Sequence, residues 1–211
     1  THYIESELKL KVNREKTEIG SLRNLKFLGF KLTRVKAGTG ITIHQKSLAK
    51  FKKKVIAITK RNRGVSLDSV ISELNKYTKG WIGYYGACSS NNSIKTLDGW
   101  MRRRVRQYQY KLWKKKTNRY KQLLKLVPPD EIGPCGSIST DWRIKAKGAS
   151  KHNSYWRGSD SPAVKQGLSN TWLKDRGMFF LMDDWEMVKE RCTNRPLRSR
   201  MVGGVRGQPT G

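Results

Sequence analysis

Between Gln45 and Leu126 apolar residues return every three or four positions through three successive stretches, and most of what separates them is Lys or Arg. A chain written this way can bury one stripe per helix and must leave the remaining faces in water. The first stretch places Leu48, Phe51, Val55 and Ile58 on one side. Asn62-Arg63-Gly64 stops it, and Ser66 is placed to cap the second, where Val70, Leu74, Tyr77, Trp81 and Tyr84 repeat. After the polar break Ser89-Ser90-Asn91-Asn92, Ile94, Leu97, Met101, Val105, Tyr108 and Leu112 form the third stripe. Three stripes of similar length can close on one another as a small bundle.

The flanks read differently. Tyr3, Ile4 and Leu8 stand at helical spacing, ending near Leu10-Lys11-Val12, so the chain begins inside a helix and without Met, as a fragment of a longer protein would. Leu25 to Leu32 and Gly40 to His44 are β-like runs joined by the turn-rich Lys36-Ala37-Gly38-Thr39, which predicts a hairpin. Around Phe27 to Phe30 the first run is apolar on both faces, a pattern of burial whose cover is expected from upstream residues. Pro128-Pro129 ends the helical region, and Asp130 to Thr140 reads as a linker. Beyond it, Ser161-Pro162 starts a helix carrying Val164, Leu168, Thr171 and Trp172, closed by Gly177, with a further short helix from Leu181 to Cys192 expected to pack on it. The Arg- and Gly-rich stretch 193–211 has little to bury and is expected to be flexible.

The balance of 45 Lys+Arg against 16 Asp+Glu gives a formal net charge of +29 and demands an anionic partner. Aromatic residues interleaved with the basic ones favour nucleic acid over a membrane surface. No apolar run approaches the roughly 20 residues of a membrane span, and the opening THYIESELKL lacks a signal-peptide layout. Cys88, Cys135 and Cys192, odd in number and far apart, argue against a disulfide framework or a zinc ribbon; His2, His44 and His152 are equally scattered. Adjacent carboxylates at Asp183-Asp184 could in principle hold catalytic metals, but in a short amphipathic segment they read first as acids of a helix's opening turn. Asp68 and Asp98 read as surface or capping groups. No nucleophilic triad and no G-x-x-x-x-G-K loop is present, so the stretch is not expected to catalyse anything alone and no metal site is assigned.

The cations are the positive signal, since a column of Lys and Arg along a helix neutralises successive phosphates and releases counterions. Candidate RNA contacts are Lys46, Lys50, Lys53, Lys54, Lys60, Arg61 and Arg63 around the first helix, Lys79 and Tyr85 on the second, and Arg102, Arg103, Arg104, Arg106, Lys114, Lys115 and Arg119 from the third onward. The Arg102 to Arg106 run offers guanidinium forks on several faces, suited to phosphates of a folded RNA. Trp81 reads as core, with stacking on a base as the alternative; Tyr85 and Tyr110 read as outward-facing. Downstream, Arg143, Lys145, Lys147, Lys151, Tyr155, Trp156 and Arg157 form a second basic and aromatic set.

The succession Leu10-Lys11-Val12-Asn13-Arg14-Glu15-Lys16-Thr17, Phe27-Leu28-Gly29-Phe30, Leu74 to Tyr85 and Leu97 to Arg104 resembles the C-terminal half of bacterial group II intron reverse transcriptase/maturases. The resemblance implies a mainly α fold: 1–44 as the β-hairpin remnant of the reverse-transcriptase palm, 45–127 as a three-helix thumb or domain X, 128–140 as a linker, 141–192 as a small helical DNA-binding region and 193–211 as a basic tail. It implies that Lys16 holds a latent general-acid role in polymerisation, that Leu28, Gly29 and Phe30 support the primer end, and that the set from Arg143 to Arg157 contacts target-site DNA. The polymerase aspartates would lie upstream of Thr1 in the fingers and palm of the same protein, and Leu181-Met182-Asp183-Asp184 is not their equivalent. Magnesium is implied for that polymerase and for the intron RNA, with no cofactor on this segment. The paired-Cys endonuclease motifs of many relatives do not occur before Gly211, which suggests reliance on the intron RNA and existing primers. Expected partners are group II intron RNA and target DNA within a cytoplasmic bacterial ribonucleoprotein, with no membrane. Two other readings stay open: a thumb serving chiefly as a template-primer clamp, and a structural RNA-binding protein unconnected with introns.

Overall fold

The structure, a computed structural model, describes residues 2–9, 11, 13, 26–35, 38–89 and 91–193. Lys16, most of the motif around it and the tail beyond Thr193 lie outside the described residues. The fold is mainly helical with one two-stranded antiparallel sheet. A short α1 (His2–Ser6) precedes β1 (Phe30–Val35) and β2 (Gly38–Ile43), paired from Phe30↔Ile43 to Val35↔Gly38 as the expected hairpin. Then come α2 (Gln45–Ile58), α3 (Leu67–Tyr85), α4 (Asn92–Leu112) and α5 (Lys116–Lys125). After a 3-10 turn at Pro129–Glu131 the chain forms α6 (Thr140–Ser150), α7 (Tyr155–Gly158), α8 (Pro162–Gly167), α9 (Asn170–Asp175) and α10 (Leu181–Thr193).

The apolar stripes bury as their spacing predicts: Phe51, Val55 and Ile58 of α2 meet Val70, Ile71, Leu74 and Trp81 of α3 and Ile94, Leu97, Met101 and Val105 of α4 in one core. Ser66 caps α3, its Oγ accepting the Ser69 amide, and Gly64 takes the left-handed backbone (φ +70°) before it. The sequence treats the third stretch as one helix, whereas the structure breaks it at Trp113 to Lys115, where Lys114 has φ +46°, and starts α5 anew. Three consecutive lysines and a threonine after Trp113 leave α4 nothing further to bury on its own stripe.

Two further expectations are corrected by the packing. The single helix expected from Pro162 to Gly177 is two, α8 and α9, and α10 packs mainly across α3 and α4, where Leu173, Met178, Phe180, Leu181 and Trp185 complete the bundle's own core. The stretch 130–140, expected as a linker, carries bonds of its own. Ile132 pairs with Ile138, Gly133 N–H donates to Ser137 O, and the Glu131 carboxylate is held by Ser139 Oγ and by Lys145 Nζ at 2.6 Å. A second core of Tyr110, Trp113, Leu123, Trp142, Ala146, Ala163, Val164 and Leu168 joins the far end of α4 to α5, α6 and α8.

Candidate nucleic-acid interface

The outward face of α2 is a row of cations. Lys46, Lys50, Lys53 and Lys54 are all exposed, with Lys52 beside them and Lys60 just past the helix end. At 1.5 Å rise per residue the i, i+4 steps set ammonium groups about 6 Å apart along the axis. The helix contains no carboxylate, so nothing on α2 itself neutralises the row. Its opposite face, with Phe51 and Val55 fully buried, fixes which side the lysines show. His44 caps the start through Nδ1, which accepts the Lys46 amide at 3.0 Å. Lys114 and Lys115 are exposed at the α4–α5 corner. On α3, Lys76, Lys79, Gly80 and Gly83 share the solvent side, and a Cβ at either glycine would meet nothing within 4 Å.

The arginines assigned to RNA are largely taken up by contacts within the protein. Arg102 pairs with Asp98 (3.2 Å). Arg103 lies over the Trp156 ring at 3.8 Å and donates to Trp156 O. Arg104 donates to Thr59 Oγ1 (2.9 Å), and Arg106 to Leu168 O (2.8 Å) and Asn170 Oδ1 (2.9 Å). Arg119 is buried, donating to His152 O and stacked over Tyr110. Burial, then the charge of Arg61, draws Arg104 below the usual guanidinium value; burial, then Arg102, does the same to Arg106. Arg103, Arg106 and Arg119 tie α4 and α5 to the chain that follows, Arg104 ties α4 to the end of α2, and Arg102, held by Asp98 and over the Phe180 ring, lines a concavity beside α9. Arg61 is half-buried over Tyr155 (5.1 Å), and Arg63 is bound to Glu73 (2.7 Å) and Ile58 O.

Among the aromatic residues, Trp81 is core, packed at 4.4 Å on Phe51 and 4.7 Å on Tyr85. Tyr110, expected outside, is fully buried; its hydroxyl donates to Ala149 O and its ring occupies the space a Cβ at Gly158 would need. Asp98, expected as a surface or capping group, is also buried, although it does cap: Oδ1 accepts the Leu181 amide at 2.9 Å, across from α4 to α10. Burial raises its carboxyl value, with Arg102 acting in opposition.

The downstream set divides in the same way. Trp142 is buried and donates Nε1–H to Leu123 O, so α6 shows Arg143, Ile144, Lys147, Gly148 and Lys151 to solvent. Ile144 is 64% exposed in the middle of that basic face. Arg143 reaches back to Ile138 O, and Lys145 is held by Glu131, whose carboxyl it draws down. Tyr155 and Trp156 are half-buried beneath arginines, and Arg157 is exposed.

Phe27 to Phe30 form a tight turn with mutual backbone bonds and positive φ at both central residues, Leu28 (+49°) and Gly29 (+84°). A leucine in that conformation costs about 1–2 kcal/mol. The turn is held by Tyr84, whose hydroxyl donates to Leu28 O (2.8 Å), and by His44 N–H and Ser47 Oγ, which both donate to Gly29 O (2.9 Å). A Cβ at Gly29 would lie 2.5 Å from the Tyr85 hydroxyl, so only glycine fits. Phe27 and Leu28 are 74% and 67% exposed, while Phe30 packs on Tyr84 and Tyr85.

Asp183 and Asp184 occupy the first turn of α10. Among the described residues no group of three His, Cys, Asp or Glu could hold a metal, and no helix is long and apolar enough to cross a membrane. Reading the sequence missed Lys95, Lys174 and Asn75. The last holds the C-terminal strap, donating to Gly177 O and accepting from Phe179 N–H. Residues 48–127 match the family model described as group II intron, maturase-specific domain. No curated protein matches the sequence.

Proposed function

We propose, from the match of residues 48–127 to the group II intron maturase-specific domain, that the chain has a maturase role in splicing and that the α2 lysine row is the surface that grips the intron RNA. The observation that carries this reading is a cationic helix face with no carboxylate of its own, backed by a fully buried stripe that leaves it no other orientation. Ammonium groups spaced along one face suit successive phosphates, and contacts of that kind position a folded RNA without reading its sequence. Lys60, Lys114 and Lys115 extend the field; Gly80 and Gly83 allow a backbone to approach α3 closely. Splicing chemistry then stays with the RNA and its magnesium ions, and the protein supplies a rigid scaffold for the active RNA fold.

In the same reading the exposed face of α6, with Lys147 and Lys151 flanking Ile144 and Gly148, takes target DNA during intron mobility, and the Phe27 to Phe30 turn supports a primer end. That turn favours one second reading, a thumb that chiefly clamps a template-primer duplex. A filter-binding salt series separates the two. Replacing Lys50, Lys53 and Lys54 with Gln should flatten the slope of log affinity against log salt by about 0.7–0.9 per lost contact. Intact intron RNA should also compete far better than a plain hybrid duplex; equal competition supports the clamp, and an unchanged slope refutes the lysine row.

A further inference from the structure

Two concavities adjoin where α4, α9 and the start of α10 meet, and neither belongs to the lysine row or to α6. One, of about 330 Å³, is lined by Lys95, Asp98, Arg102, Asn170, Lys174 and Phe180. The other, of about 360 Å³, runs on past Lys79, Phe179, Asp184 and Met187. They share Lys174, Phe180 and Asp183, so the pair forms one groove. Its cations are set in place in advance: the Arg102 guanidinium and the Lys174 ammonium both lie over the Phe180 ring, at 5.2 and 5.1 Å, and Lys79 lies over Phe179 at 5.5 Å.

The carboxylates do not cancel them equally. Asp98 lies buried in the floor of the first concavity, with its oxygens given to the Leu181 amide and to Arg102. Asp183 binds Lys174 at 2.7 Å, but both partners are half exposed, and such pairs contribute little and open readily. Lys95 has no ion pair among the described residues. The far concavity offers apolar surface at Phe179 and at Met187, which is 46% exposed. A cationic track beside an apolar wall is the arrangement that holds an unpaired strand, phosphates on one side and base faces on the other.

We propose that this groove binds an unpaired stretch of RNA through internal phosphodiesters at Lys95, Arg102 and Lys174, with Asp183 displaced from Lys174 as the phosphate enters. The inference takes its ligand class from the RNA-binding reading above but uses a different face of the molecule. The test is the anisotropy of a labelled oligouridylate ending in a 5′-hydroxyl, titrated with the full chain over a range of salt. The variant Lys95→Gln/Lys174→Gln should flatten the salt slope by about 1.4, two contacts at about 0.7 each. Asp183→Asn should bind more tightly, a change in the opposite direction that no loss of folding produces. An unchanged slope in a double variant that melts as the parent does overturns the proposal. So does binding that requires a 5′-phosphate or is displaced by inorganic phosphate, since the seat would then be for a terminal phosphate. Lys50→Gln/Lys53→Gln, assayed on intron RNA in parallel, keeps the two readings apart: if it weakens that RNA while the groove variant leaves the oligouridylate slope unchanged, only the groove proposal falls; if it has no effect while the groove variant flattens the slope, the groove stands without the lysine row.

Discussion

A fragment that stops at Val127, where the family match ends, should not fold as a stable unit. The bundle core takes Leu173, Met178, Phe180, Leu181 and Trp185 from beyond that point, all of them buried. At about 1.5–3 kcal/mol for each large apolar side chain, their removal forfeits roughly 7–15 kcal/mol. That equals the whole stability of an ordinary domain, about 5–15 kcal/mol. The loss also strands polar groups, since Asp98 would no longer cap Leu181 and Asn75 would lose both bonds to the strap. The comparison is between a fragment running from Gln45 to Val127 and one running from Gln45 to Thr193, by thermal melting in circular dichroism and by amide chemical-shift dispersion. The longer fragment should melt cooperatively, and the shorter should show helical signal without a cooperative transition. A short fragment that melts sharply within a few degrees of the long one would refute the claim that the C-terminal residues are part of the bundle.

Other outcomes follow from single sites. Asp98→Ala should cost about 3 kcal/mol in urea melts, because it leaves the Arg102 charge and the Leu181 amide without their partner. Asp98→Asn keeps an acceptor and should cost less. Because burial lifts the folded carboxyl above its unfolded value, its contribution is complete below the unfolded value and is lost as pH rises through the folded one. The stability difference between parent and Asp98→Asn should therefore move against the parent over that window, and a flat difference would contradict this. Arg106→Ala should lower stability by about 2 kcal/mol, or about 4–8 °C in Tm, whereas Lys53→Gln should leave Tm within about a degree while weakening RNA binding. Gly80→Ala and Gly83→Ala should each raise stability by about 0.5–1 kcal/mol, since both sit within α3 and touch nothing. A matching loss of intron RNA affinity in those variants would mark the close approach of a phosphate backbone, and unchanged affinity would place the RNA elsewhere.

The helices were legible because an apolar stripe is a statement about direction: Phe51, Val55 and Ile58 can share a core only if Lys50, Lys53 and Lys54 face away. The arginines were not, because charge alone carries no direction. Arg102 to Arg106 wrap more than a full turn, and the clue to their inward use lay in their neighbours. Trp100, Met101, Val105, Tyr108, Tyr110 and Trp113 cover α4 on more than one side, which is the mark of a helix buried between two cores. The same pattern explains the fate of Tyr110. The groove at Lys95 and Lys174 could not be seen at all, since its residues come from elements about eighty positions apart. Nor could the Asp98 cap, whose partner Leu181 lies 83 residues on. Short-range signals such as Ser66, Gly64 and Ser161-Pro162 did predict element ends, because capping and backbone handedness are settled within a few residues.

The Asn75 clasp closes over 102 residues, from α3 to the turn that Gly177 makes with φ +75°. A nascent chain cannot make that contact until residue 179 has left the ribosome. At about 5–20 residues per second, the residues of α3 and α4 would be outside for several seconds with their apolar flank uncovered. A fixed orientation of the α2 lysines is therefore expected only once the stretch through Trp185 has emerged and the shared core can close.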